Sequence, residues 1–156
     1  MLNVTIQRVE PIRVAGMRHI GPYPEAGPVF QKMFGWAGAR GLFGPETRCL
    51  GVFHDNPRDV PAERLRSDAC VEVGPEVTAD PAAGVEIAEI AGGDYATTIF
   101  EGPYEDLETA YDYLYCEWAE QSEREVDDRP SFEIYLNSPM DTPPEKLRTE
   151  IFVPLK

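Results

Sequence analysis

Long apolar runs are missing from this chain of 156 residues. No stretch approaches the roughly 20 consecutive apolar residues that a membrane-spanning helix needs, so no spanning segment is expected. The opening residues, MLNVTIQRVEPIRVAGMR, lack a basic stretch leading into an apolar core, and no signal peptide is expected either. Cysteine is scarce. Cys49, Cys70 and Cys116 are an odd set with no CxxC pair, which argues against a disulfide framework and for reduced thiols in a cytoplasmic protein. Histidine is scarcer still: His19 and His54 stand in no ligand spacing with a cysteine, so neither a metal site nor any other cofactor is expected. Basic side chains are few, 14 Lys and Arg against 28 Asp and Glu, for a formal net charge of −14 and a pI near 4.4. Such a surface repels phosphate backbones and disfavours direct nucleic-acid binding. It suits cationic partners or mimicry of DNA, and it also simply keeps a protein soluble.

What is present is a globular composition, 42% hydrophobic and 27% charged, of a size that fits one domain or two small fused modules. The charge is unevenly spread. Residues 85–128 carry 14 acidic side chains and a single basic one, Arg124, whereas residues 1–48 carry three acidic and six basic ones. A solvated helix face is the plainest reading of the acidic run 105–128.

The most informative feature is a duplication. His19-Ile20-Gly21-Pro22-Tyr23 recurs as Phe100-Glu101-Gly102-Pro103-Tyr104, offset by 81 residues. Trp36-Ala37 recurs as Trp118-Ala119, Val52-Phe53 as Ile134-Tyr135, Leu65-Arg66 as Leu147-Arg148, and Asp68 as Glu150, all offset by 82. One inserted residue between the second GPY and Trp118 accounts for the change. Two copies of a long unit are not a solenoid; they predict a pseudo-twofold pair of modules, about 1–74 and 85–156, joined by the Pro- and Gly-rich segment 75–84 within a single domain spanning 1–156.

Each module reads alike. An apolar strand (12–17, 95–100) is broken by Gly-Pro-Tyr, because proline lacks an N–H and glycine tolerates the turn. A helix comes next. In the second copy Glu105, Asp106 and Glu108 load its first turn with negative charge, and Leu107, Tyr111, Leu114 and Trp118 fall on one face. The first-copy helix is weaker, because Gly35, Gly38, Gly41 and Gly44 each cost up to about 1 kcal/mol against alanine, and it is expected to end early. Two further strands close each module (47–54 and 68–74; 131–136 and 148–154), and one more is expected at the start of each (3–9 and 85–91). Loops 55–67 and 137–147 are equivalent connections. The fold class read from this is α+β: two like modules that should share a sheet, with about eight strands and two helices in all.

GPY before a helix, an aromatic-rich helix with Trp118, and then Phe132-Glu133-Ile134-Tyr135-Leu136-Asn137 resemble the GyrI-like small-molecule-binding superfamily. Its members include effector-binding domains of AraC-type and MerR-type multidrug-responsive regulators, the gyrase inhibitory protein, and hydrolases of cyclopropane-bearing DNA alkylators. The resemblance runs from about Val4 to Leu155. It implies two strand–helix–strand–strand modules related by a pseudo-twofold, whose shared antiparallel sheet and two helices frame a central ligand groove, and, on the first strand after the second helix, a glutamate pointing into that groove. Glu133 holds that position, and Gly51 is its counterpart in the first copy.

Read from the residues alone, Glu133 is either an ordinary solvent-facing strand residue or a carboxylate in an apolar cleft. In the second case its pKa should rise or it should attract a cation. Flat aromatic cations would satisfy both the charge and nearby rings, each cation–π contact adding about 0.5–2 kcal/mol. Tyr135 shares its strand face; Phe132, Ile134 and Leu136 take the other. Trp118 and Tyr111 can pack through one edge and line the groove with the other, whereas Leu114 reads as core and Tyr115 as a helix flank. Tyr104 and Tyr23 staple turns or touch ligand. Phe100, Met17 and Trp36 complete the candidate ligand-binding set, each with a core-packing reading beside it, and His19 reads as a satisfied core histidine.

These residues suit three functions. The first is binding of an aromatic or cationic small molecule by the chain without an attached DNA-binding segment. The second is a hydrolase of strained-ring electrophiles with Glu133 as its catalytic group. The third is a gyrase-inhibitory role through contact with a protein partner, gyrase or a regulator, made by the acidic surface.

Overall fold

The computed structural model describes residues 2–156. In chain order the strands are β1 (Thr5–Val9), β2 (Ile12–Ile20), β3 (Cys49–Phe53), β4 (Arg66–Glu72), β5 (Glu86–Ile90), β6 (Gly93–Glu101), β7 (Ser131–Tyr135) and β8 (Arg148–Pro154). Helix α1 covers Gly27–Ala39. The second helical stretch is composite: α2 (Leu107–Asp112), a π-helical turn over Tyr113–Trp118, and α3 (Ala119–Ser122). The fold class is α+β, and every strand pairing within each unit described below is antiparallel.

The residues gather into two compact units. One is Pro11–Ala91; the other joins the stretch ending at Glu10 to Gly92–Lys156. Within the first unit the strand order is β3-β4-β2-β5, and within the other it is β1-β6-β8-β7. The compact units thus differ from the sequence halves by one strand each. β1, which opens the first half, pairs with β6 of the second half, and β5 pairs with β2. Such pairings join residues far apart in the chain, Thr5 with Thr97 and Ile12 with Ile90, a choice that no local propensity encodes.

The duplication extends to local hydrogen bonds. Gly21 N–H donates to the carbonyl of Leu65 at 2.8 Å, and Gly102 N–H to that of Leu147 at 2.8 Å. Both glycines have positive φ, 137° and 151°, which L side chains rarely adopt. Each GPY runs into a 3-10 turn, Tyr23–Glu25 and Tyr104–Asp106. The loops match too: Asp55 Oδ2 accepts from the Arg66 N–H at 2.9 Å, and Asn137 Oδ1 from the Arg148 N–H at 2.8 Å.

Helix α1 runs through Gly35 and Gly38 but ends at Ala39, short of Gly41 and Gly44. Met33 and Ala37 are fully buried and Trp36 nearly so, in a core with Ala15, Ala69, Val71 and Val85. That burial outweighs the roughly 1 kcal/mol each glycine costs. The helix stops before Gly41, whose φ is +66°. In the other unit Leu107, Ala110 and Leu114 pack on Ala96, Ile151 and Val153. Arg129 ties this unit together. It donates to the carbonyls of Gly92 (3.0 Å) and Leu155 (2.9 Å), pairs with Asp127 (2.7 Å), and lies 5.1 Å over the Tyr95 ring.

A Cβ at Gly102 would meet the Phe100 ring at 3.1 Å in a backbone conformation suited to glycine. Gly102→Ala is expected to cost about 1–3 kcal/mol. A shift of the urea midpoint to lower concentration with unchanged slope would show it.

Candidate functional site

The strand β7 sequence Ser-Phe-Glu-Ile-Tyr alternates across the sheet. Phe132 stacks on Phe152 with ring centres 4.4 Å apart and planes 5° off parallel, and Tyr95 meets Phe132 edge-on at 5.1 Å. That packing fixes one face and commits Ser131, Glu133 and Tyr135 to the other. Glu133 is paired with Ile151, a member of the core under α2, so the carboxylate lies on the helix side.

Glu133 is only 2% exposed. Each of its oxygens receives one phenol: Tyr111 O–H donates to Oε2 at 2.6 Å and Tyr135 O–H to Oε1 at 2.9 Å. Among the described residues, no Lys, Arg or His forms an ion pair with it. Burial raises the Glu133 pKa, and the two phenols, which favour the charged form, only partly offset that, leaving it at about 7. Tyr111 is pushed well above the ordinary phenol range, first by burial and then by the Glu133 charge, so it stays a donor. Tyr104 is raised by the same two causes in the same order. A carboxylate offers about four acceptor positions, and the phenols use two.

The other expected residues fall into groups. Tyr104 is 38% exposed and meets Tyr135 edge-on at 5.6 Å. Phe100 and Trp118 are partly buried against the core that holds Ile151. Met17 and Trp36 belong to the other compact unit. Met17 packs on the core under α1. The Trp36 indole N–H donates to Asp80 at 2.9 Å, and Arg40 lies 4.3 Å over its ring while pairing with Asp80 at 2.6 Å. These three residues border a depression of about 400 Å³ in that unit. Its charges are already matched and its ring already covered, so it lacks the unneutralised carboxylate that makes Glu133 distinctive.

Tyr115, read from the sequence as a flank, stacks on Tyr111 with ring centres 6.3 Å apart and planes 18° off parallel. Its spacing of four from Tyr111 was the available signal. The π turn was not legible: the Ala119 N–H reaches back five residues to the carbonyl of Leu114. One extra residue in the turn rotates the downstream side chains by about 100° relative to an unbroken α-helix. Leu107, Ala110 and Leu114 are buried in the core, and Tyr111, Tyr115 and Trp118 pack partly buried against the same core.

A buried carboxylate held by two phenols thus lies on an antiparallel sheet under a helix, and comparison with known proteins identifies the class to which this fold belongs. The GyrI-like small molecule binding domain model matches residues 2–156, and the chain belongs to that family. It is 32% identical over 138 residues to a DNA gyrase inhibitor of Citrobacter rodentium, covering 87% of each chain. In structure it resembles the C-terminal domain of EcmrR, with TM-score 0.77 and 19% identity, covering 100% of this chain and 98% of that one. It also resembles the SAV2435 protein bound to tetraphenylphosphonium, with TM-score 0.66 and 17% identity, covering 99% of this chain and 94% of that one. None of the helices among the described residues is long and apolar enough to cross a membrane.

The raised Glu133 pKa makes a signed prediction. Below the ordinary carboxylate value both folded and unfolded chains hold the proton and there is no penalty. As pH rises toward about 7 the unfolded chain ionises first, so stability falls; above it the loss is complete. Glu133→Gln mimics the neutral form. Its stability gain over the wild type should be near zero at pH 4 and reach a plateau on the order of 3 kcal/mol by pH 8, read from denaturation midpoints at both pH values.

Proposed function

We propose that this GyrI-like protein binds aromatic cations, with Glu133 as counter-charge and the surrounding tyrosine rings as walls. The observation that carries this reading is a carboxylate 2% exposed with two phenol donors and no cation paired to it among the described residues. A bulky organic cation is weakly hydrated, so it loses little on leaving water and gains from a buried anion and from ring faces. Tyr111 and Tyr135 hold the carboxylate in place, Tyr104 stands at the exposed edge, and Phe100 and Trp118 supply apolar area. A cation stabilises the ionised form of Glu133, so uptake releases a proton when the pH lies below about 7. Tetraphenylphosphonium is a suitable probe, since a structural relative was solved with it. Titration calorimetry should give binding about tenfold tighter, or more, at pH 8 than at pH 5.5. Glu133→Gln should remove both the affinity and its pH dependence. Equal affinity of wild type and Glu133→Gln for the cation at pH 8 would sink the reading.

A second reading is favoured by the sequence relative named a DNA gyrase inhibitor. The acidic run is solvent-facing, with Glu105, Asp106, Glu108, Asp112, Glu117 and Glu120 all exposed. Such a face can compete with DNA for a basic enzyme surface. Inhibition of gyrase supercoiling that fades as salt rises from about 50 to about 200 mM is the expected result; inhibition indifferent to salt, or none, counts against it.

A further inference from the structure

Strand β8 puts a second polar group on the face that carries Glu133. In the β7–β8 ladder Ile151 is the partner of Glu133 and Thr149 the partner of Tyr135, and paired residues of an antiparallel ladder point the same way. On its other side Thr149 pairs with Phe100 of β6. Thr149 is 0% exposed, and its Oγ1 has no hydrogen-bond partner among the described residues. A buried hydroxyl left unbonded is destabilising, and a valine of the same shape would avoid that cost. The repeat-equivalent residue of the other unit, Ser67, is also buried with an unbonded hydroxyl. Burial alone therefore does not single out Thr149. Its neighbours do. Ser67 shares its face with Gly51, which pairs with Ala69, whereas Thr149 shares its face with a carboxylate and two phenols.

We propose that Thr149 is a second polar contact for the ligand held at Glu133, and that it selects aromatic cations bearing a hydrogen-bonding ring substituent, such as a phenolic hydroxyl or an aromatic amine, over all-hydrocarbon cations. This rests on the reading of Glu133 as the counter-charge. The two residues are diagonal neighbours across the ladder, about 7–8 Å apart at the backbone. That is roughly the reach of one substituted ring from its cationic centre. A hydroxyl both donates and accepts, so it serves either kind of substituent.

The test compares tetraphenylphosphonium with its 3- and 4-hydroxyphenyl analogues by titration calorimetry at pH 8, on wild type, Thr149→Val and Thr149→Ser. Wild type should bind one hydroxylated isomer about fivefold more tightly than the parent cation. Thr149→Val should lose that preference, keep the parent affinity within about twofold, and melt at a higher temperature than wild type, while Thr149→Ser keeps the preference. Equal binding of all three cations by wild type overturns the role of Thr149 and leaves that of Glu133 standing. So does a Thr149→Val variant that weakens every cation alike. Failure of wild type to bind any of them overturns the Glu133 reading and this one with it.

Discussion

Keeping a carboxylate out of water is the constraint around which the second unit is organised. Desolvation disfavours the Glu133 charge more than two phenol hydrogen bonds favour it. The carboxylate therefore sits near the balance point between neutral and ionised. Its surroundings serve that balance. The stacked Phe132 and Phe152 hold β7 in register, and Leu107 and Ala110 of α2 pack on the sheet. Tyr111 of the same helix brings its hydroxyl to 2.6 Å from the carboxylate. An arginine in the same place would pair with Glu133 and remove that balance.

The duplication puts a buried carboxylate in one copy and a plain apolar core in the other. The GPY turns, the glycine-to-carbonyl bonds and the loop caps are repeated nearly to the tenth of an ångström. They are backbone requirements and do not depend on chemistry at the site. The face of the sheet is where the copies diverge: Glu133 against Gly51, Tyr135 against Phe53, Thr149 against Ser67. Phe53 packs edge-on with Tyr23 at 5.0 Å, the counterpart of the Tyr135–Tyr104 contact, so the ring contact persists where the hydroxyl does not.

Charge plays two separate parts. The acidic side chains along the second helical stretch project into solvent, where water and salt screen them. They set the overall sign of the surface that any partner meets. Glu133 is the exception, an acidic group turned inward and surrounded by rings instead of water. Treating all 28 acidic residues as one population would miss it.

The repeat, the strands, the turn residues and the identity of the one acidic residue within an apolar strand were all legible in the sequence, because each is a local pattern of period, proline, glycine and polarity. So was the face shared by Glu133 and Tyr135, which comes from alternation alone. Four things were decided only by tertiary structure. Helix α1 ran through Gly35 and Gly38 to Ala39 because Met33, Trp36 and Ala37 are buried. The π turn appeared inside a stretch whose spacing reads as regular helix. β1 and β5 each joined the unit opposite to the sequence half that they open. Thr149 was brought beside the site by β7–β8 pairing. The helix end, the strand assignment and the place of Thr149 depend on contacts between residues distant in the chain, and burial free energy, unlike local propensity, is a property of what comes to lie against a residue once the chain has folded.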